Sequence, residues 1–449
     1  HKSRGDFVVR LHMKLGTYLV TAFATILIFG SPSFASHQLE VPSDRPIVRQ
    51  ALDYLRDSEE QTVEDQIALC EIPAPPFGEA ARGEAYRKRF VEIGLANVRI
   101  DEEGNVLGEI GEGEPRVVLS AHLDTVFPAA TDVTVRREGS ELFGPGIGDD
   151  CRGLAVVLGV ARAMKDANIE PLGTLLFVGT VGEEGPGDLR GVKRLFSETL
   201  ADSVDYFISV DGTGYGITHA AVGSNRYEVT FSGPGGHSFG AFGMPNPIHA
   251  LGRAIAKISE FPLVLDPKTT FSVGLVEGGT SVNSIAFEVT MTVDLRSESA
   301  AELAKFDALF RSAVHEAREE EIARWSKDAE SAAASFSLRP SYSPVRASDL
   351  QVDIVNIGVR PAADQPMSML IIQAALAAAE VLGFEAPAAA SSTDSNIPMS
   401  LGIPSVTIDG GGAGRGAHSL EERFDTTDSY LGTQWALLLA LTLVGAGVP

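Results

Sequence analysis

Cysteine is nearly absent: the 449 residues hold only Cys70 and Cys151. Two thiols make no disulfide framework of the kind that staples small secreted domains; a single bridge and a pair of free thiols both stay open. Basic charge is scarce as well. Thirty-six Lys and Arg face 60 Asp and Glu, a formal net charge of −24, which argues against nucleic acid or an anionic membrane as partner, because both select basic patches. The apolar run near the N-terminus, about Leu19 to Phe29, is well short of the roughly 20 residues that span a bilayer. Internal repeats are also missing, which excludes solenoid architectures.

What is present is a large globular chain. With 44% hydrophobic and 21% charged residues over 449 positions, it can bury a sizeable core and is expected to form more than one domain. The N-terminus carries an addressing pattern: Met13, Lys14, the apolar run, then Pro32 and Ser33-Phe34-Ala35 at cleavage spacing. This predicts a secretory signal peptide over 13–35, with 1–12 as an upstream extension, and an exported mature protein, periplasmic or secreted.

Four apolar segments each run into a residue type that binds metals. Val117-Val118-Leu119 leads to His122 and Asp124, and Leu175-Leu176-Phe177-Val178 leads to Glu183 and Glu184. Tyr206-Phe207-Ile208 leads to Asp211, and Pro404 to Ile408 leads to His418. Short apolar runs bounded by glycine and polar residues read as buried strands of a parallel sheet. Ligands of open α/β sheets bind beyond the carboxyl ends of such strands, so these residues are expected to converge.

The rest of the chain reads as a split catalytic domain with an insertion. Residues 47–70 and 77–94 show helical spacing around a Pro-rich turn, and β/α alternation follows as far as Asp211. From about Gly223 the pattern becomes a β-α-β-β-α-β unit: strands at Tyr227–Phe231, Thr270–Val276, Val289–Leu295 and Leu350–Ile357. Asn246-Pro247 opens its first helix, and Ser299 with Glu302 makes a capping box for the second. The alternation resumes from Ser368. The predicted fold is therefore α/β, a mostly parallel sheet flanked by helices over 45–220 and 363–449, with an α+β domain inserted at 221–362. Lys327 to Ser348, rich in Ala and Ser, reads as a surface excursion.

His122 and Asp124, two apart on a strand end, leave the same face, so the carboxylate can orient the imidazole for a metal. Glu183 and Glu184 stand before Gly185-Pro186-Gly187, where one can ligate while the other stays free as a general base. Asp149 and Asp150, among Gly146, Gly148 and Gly153, suit either a carboxylate bridging two cations or the N-cap of the helix that comes next. Asp211 and His418 complete a mixed N and O donor set that suits zinc, with manganese or cobalt as substitutes. The glycine-rich run Gly410–Gly416 lacks the Lys and following helix of a nucleotide loop. It can wrap a substrate or be an ordinary loop. His237, in Gly235-Gly236-His237-Ser238, falls in the insertion and is no obvious ligand.

Taken together these motifs resemble the dinuclear zinc peptidase family of peptidase T, carboxypeptidase G, aminoacylase and succinyl-diaminopimelate desuccinylase. The likeness is carried by Ser120-Ala121-His122-Leu123-Asp124-Thr125, Gly144 through Gly153, Gly182-Glu183-Glu184-Gly185, Val210-Asp211-Gly212, Gly235–Ser238 and Ala417-His418-Ser419. It implies two divalent metals: His122 and Asp211 on one, Glu184 and His418 on the other, Asp149 bridging. It also implies that Asp124 orients His122, and that Glu183 is the base that deprotonates the bridging water and later protonates the leaving amine. His237 would reach a neighbouring subunit's site as an oxyanion donor, making the insertion a homodimerisation lid, and Asn283 and Arg360 would approach substrate. The family tends to carry Asp at the position of Asp211 in aminopeptidases and dipeptidases, which points to short peptides with a free amino terminus. An N-acyl amino acid deacylase or a carboxypeptidase is the alternative, and a non-catalytic binding protein the remote one. One departure stands out: a Lys commonly follows the paired acids, whereas here Cys151 follows and Arg152 supplies the charge one place later.

Overall fold

The computed structural model describes residues 39–201, 203–335 and 350–447, with backbone alone at 327–335. The predicted extension at 1–12 and signal peptide at 13–35 lie outside the described residues, as does most of the expected excursion after Lys327. Residues 327–335 continue a helix.

Two helices stand where the spacing suggested one run from 47 to 70. Helix α1, Pro46–Asp57, starts on a proline and buries Val48, Ala51 and Leu55 along one stripe; α2, Glu59–Cys70, comes after Ser58. Helix α3, Ala80–Ile93, ends on Gly94 in the left-handed conformation (φ 82°), a common helix stop.

The central sheet gathers strands from both halves of the chain. In chain order these are β1 (Ala96–Ile100), β2 (Val106–Gly111), β3 (Arg116–His122), β4 (Thr174–Thr180), β5 (Tyr206–Val210) and β6 (Ile217–Ala221). The inserted strands β7 (Gly223–Ser232), β8 (Lys268–Gly278), β9 (Glu288–Ser297) and β10 (Gln351–Arg360) come next. The second half adds β11 (Ala363–Asp364), β12 (Ala388–Ser391) and β13 (Ser405–Ile408). The spatial order is β1-β2-β4-β3-β5-β13-β6-β11, with β12 also on β6.

Strands β4, β3, β5 and β13 run parallel, but β1, β2, β6 and β11 pair antiparallel with their neighbours in that order. The sheet is mixed, with a parallel centre, where the apolar runs alone suggested a mostly parallel one. The register matters for the site: His122 lies opposite Thr180, and Val210 opposite Ile408, so the loops carrying Asp124, Glu183, Asp211 and Asp409 leave one edge together.

Alternate residues of β3 feed two core layers. Val117, Leu119 and Ala121 join the buried cluster formed with α1 and with α4 (Cys151–Asp166), α7 (Leu370–Leu382) and α8 (Tyr430–Val444). Val118 packs on the opposite face with Leu176, Phe207, Leu189 and Val192. Both faces are covered, as a parallel centre requires.

Between β6 and β11 the chain leaves this sheet and builds a second, antiparallel one. Its order is β8-β9-β7-β10, with Val264–Leu265 beside β8. Helices α5 (Pro247–Ser259) and α6 (Ala300–Ser335) cover one face, burying Val229, Phe231, Val293, Leu295, Leu251, Phe310 and Val314 in one cluster. Asn246 caps α5 by accepting the Ile248 N–H at 2.9 Å. Ser299 accepts the Glu302 N–H at 3.4 Å before α6.

Candidate metal centre

His122 terminates β3 and is almost fully buried. Its Nε2 lies 3.0 Å from Asp149 Oδ1 and 3.9 Å from Asp211 Oδ1. The other oxygen of Asp149 lies 3.0 Å from His418 Nε2, and Glu184 Oε1 lies 2.9 Å from the same nitrogen. One carboxylate thus faces two imidazoles, one per oxygen, with a second carboxylate beside each. Asp211 follows β5 and Glu184 follows β4, so the register of the parallel centre delivers both. His418 comes from the last segment. Its backbone is left-handed (φ 65°), at a turn between the short paired strands Ala413–Arg415 and Arg423–Asp425. The glycine-rich run is thus one arm of a ribbon that turns His418 into the cluster.

The paired acids divide their labour. Asp149 faces both imidazoles, whereas Asp150 is fully buried, with one oxygen 4.0 Å from His122 Nε2, and caps α4, accepting the Gly153 N–H at 3.0 Å and the His122 N–H at 2.9 Å. Asp124 supports His122 and more besides. Its backbone carbonyl lies 3.0 Å from His122 Nδ1. Its carboxylate accepts the backbone N–H groups of Glu183 and Glu184 at 3.0 and 2.8 Å and stays 3.6 Å from the imidazole. It therefore orients the ring and the acidic pair together.

Glu183 is buried against Arg360. The guanidinium donates to Glu183 Oε1 at 2.9 Å and to the Glu183 carbonyl. Arg360 ends β10, so the inserted layer reaches the acidic pair at this point. Arg360 is 5% exposed; it braces Glu183 while lining the cleft of the cluster. Arg152, the displaced cation, lies outside the cluster: it donates to the Gly410 and Ser429 carbonyls at 2.8 and 2.6 Å and pairs with Glu59. It anchors the ribbon from behind.

Charge concentration leaves its mark on the titrations. Burial and the neighbouring Asp149 raise Asp211 well above the usual carboxylate range, and burial with Asp149 and Glu183 lifts Glu184 to about 7. Burial also raises Glu183, against the pull of Arg360. At Asp149 the burial penalty is outweighed by His122 and His418, so it is lowered; its hydrogen bond lifts His418 to about 9. Asp394, which sequence reasoning passed over, lies buried behind Glu183 and is raised to about 7 by burial and by that neighbour, with the Thr180 hydroxyl donating to it at 2.5 Å. Crowded carboxylates with raised pKa values are the environment a divalent cation relieves. Two overlapping triads, His122-Asp150-Asp211 and His122-Asp149-Glu184, bring donor atoms within 4.8 Å of one another. The mixed N and O set fits Zn, Mn or Co.

Asp149, Glu183, Glu184, Asp211 and His418 line one cleft of about 510 Å³, with Arg360 on its wall. His237 and Asn283 line a different cavity, about 350 Å³, on the inserted layer. The two are held together there: Gly236–His237 pairs with Ser284–Ile285, and the Ser238 N–H donates to the Asn283 carbonyl at 2.9 Å. Within one chain neither lines the cleft of the cluster. Cys70 and Cys151 are both free and buried.

The model of peptidase family M20/M25/M40 matches residues 118–442. The chain belongs to this family. An uncharacterized Bacillus subtilis protein is 27% identical over 279 residues, 57% of this chain and 72% of that protein. A probable succinyl-diaminopimelate desuccinylase of Staphylococcus aureus is 32% identical over 157 residues, 34% of this chain and 39% of the relative. Among solved structures, an aminopeptidase PepT from Bacillus cereus aligns with a TM-score of 0.66 at 21% identity, covering 86% of this chain and 98% of its own. A Staphylococcus aureus tripeptidase aligns with the same TM-score at 22% identity and the same coverage. At such identities these structures establish the shared fold, and the family match establishes a hydrolase of the M20 peptidase class.

Proposed function

We propose that this M20 family member is a two-metal exopeptidase that releases the amino-terminal residue of di- and tripeptides. The observation that carries the reading is Asp149, whose two oxygens each lie 3.0 Å from a different imidazole, with Glu183 buried beside them on Arg360. His122, Asp211 and Asp149 would hold one divalent ion, and Glu184, His418 and Asp149 the other. When bound, such a pair polarises the scissile carbonyl and activates water.

The chain's own residues supply the rest. Glu183 lies outside both ligand sets and has a raised pKa, which suits a group that accepts a proton and returns it to the leaving amine. Asp124 and Arg360 hold it in place. Asp211 in place of Glu favours the aminopeptidase branch, while the desuccinylase relative favours deacylation as the second reading.

The proposal includes a homodimer in which His237 and Asn283 serve the partner's cleft. Two features of the inserted layer support it. Strand β8 bears half-exposed Leu275 and Val276, Phe287 stands exposed on the wall of the His237 cavity, and Phe239, Phe242 and Val282 are exposed elsewhere in the inserted layer. Such apolar exposure marks an interaction face.

Metal analysis of the purified chain is expected to give two divalent ions, zinc first and manganese or cobalt as substitutes. Chelation is expected to stop release of Ala from Ala-Ala-Leu, and re-addition to restore it. Hydrolysis that survives complete metal removal would overturn the reading.

A further inference from the structure

The turn that carries Asp149 is held from two sides. Helix α2 serves its acceptors: Gln66 donates to the Ile147 carbonyl at 2.7 Å, and the Cys70 thiol faces the Pro145 carbonyl at 3.5 Å. The donors of the turn converge on one carboxylate. Glu422 Oε2 accepts the Gly146 N–H at 2.9 Å, and Oε1 accepts those of Gly148 and Asp149 at 2.8 and 3.1 Å. The Glu422 carbonyl also accepts the Gly144 N–H at 3.0 Å. Glu422 is 2% exposed.

The placement of this residue is what gives the clamp a purpose. Glu422 comes four residues after His418, whose Nε2 lies 3.0 Å from Asp149 Oδ2. One side chain therefore joins the His418 segment to the backbone that presents Asp149. Bonds from amides to an ionised carboxylate are roughly twice as strong as neutral ones. Apart from the α2 contacts, the turn's own side chains add little, since Gly144, Gly146 and Gly148 have none and Gly146 is left-handed (φ 81°). The His122 half of the centre has its own anchor: Asp150 holds the His122 N–H and the start of α4 without involving Glu422.

We propose that Glu422 is a positioning residue for the metal centre, fixing the gap between the Asp149 carboxylate and the His418 imidazole and hence the spacing of two bridged cations. The inference rests on the two-metal reading above. It predicts an asymmetric defect, because Asp150 braces His122 and Asp124 braces Glu184, whereas the approach of His418 to Asp149 depends on the clamp.

The test is titration of the metal-free full chain with Co(II), read by bound stoichiometry and visible absorption. Wild type is expected to take two ions. In Glu422→Gln, which puts an amide NH2 among N–H donors, one ion is expected to weaken by about 10–100-fold while the other stays within about threefold. A second variant reaches the same clamp without removing the charge. A Cβ on residue 148 would sit 3.2 Å from Glu422 Oε1 and 2.9 Å from Thr213 Cγ2, so Gly148→Ala is expected to give the same selective loss even if Glu422→Gln does not fold. Glu422→Asp, shorter but charged, is expected to recover part of the affinity. Two ions bound as in wild type in these variants, or equal weakening of both, overturns the inference. A wild-type chain that takes fewer than two ions overturns the two-metal reading along with it.

Discussion

Glu183→Gln is expected to lower kcat by about 10²–10⁴-fold, the usual contribution of a positioned general base, while the bound metal stays at the wild-type level. The separation of the two effects comes from the geometry. Glu183 is outside both donor sets, and the cluster closes through Asp149, Glu184 and Asp211 without it. Gln keeps an oxygen to accept the Arg360 bond at 2.9 Å, so the brace from β10 persists. What is lost is the ability to take a proton. Metal content by elemental analysis and turnover on the same preparation check the claim together. Activity within a few fold of wild type would assign the base elsewhere, and Asp394, buried behind Glu183 with a pKa raised to about 7, would be the next group to test.

Mixing two inactive variants is expected to restore activity. On the proposed dimer, His237→Ala would remove one oxyanion donor, a loss of about 10²–10³-fold for such groups, and Glu183→Gln would remove the proposed base. In a dimer where each chain lends His237 to the other's cleft, a mixed pair holds one complete site and one doubly defective site. Random exchange between the variants makes half the dimers mixed, so about one quarter of wild-type turnover is expected at equilibrium, by the symmetry of a twofold assembly. The structure motivates the test directly: His237 lines a cavity on the inserted layer with Asn283, apart from the cleft of Asp149 and Glu183. If the mixture shows no more than the sum of its parts after subunit exchange, His237 does not act across subunits.

Much of this was legible in the sequence because it depends on short apolar strands and the residues at their carboxyl ends. His122, Glu184, Asp211 and His418 each trail a run that the structure buries as β3, β4, β5 or β13, and the parallel register brings their loops to one edge. The α5 and α6 boundaries were readable from Asn246-Pro247 and from Ser299 with Glu302, since caps are local chemistry. Features set by tertiary partners left no such trace. The antiparallel flanks of the central sheet escaped notice because β1 and β2 alternate weakly and β11 is two residues long. Asp149 and Asp150 are chemically alike as neighbours, and the folded turn sets one between the two imidazoles while giving the other the cap of α4. The Asp124 carboxylate, assigned to the imidazole two residues away, lies 3.6 Å from it and also accepts backbone N–H groups about 60 residues downstream, a second task the sequence did not show. Arg360 was expected near substrate from the family resemblance alone; its bond to Glu183 exists only once the inserted layer docks. Glu422, in an ordinary acidic pair, carried no signal at all.

The central claim, a free-amino-terminus exopeptidase, is tested most directly by mass spectrometry of products from the metal-loaded protein given Ala-Ala-Leu together with its N-acetylated form. The account predicts release of Ala from the free peptide and no product from the acetylated one. Release of Leu, or of acetate from the blocked peptide, would contradict it and place the chain on the carboxypeptidase or deacylase branch of the same family.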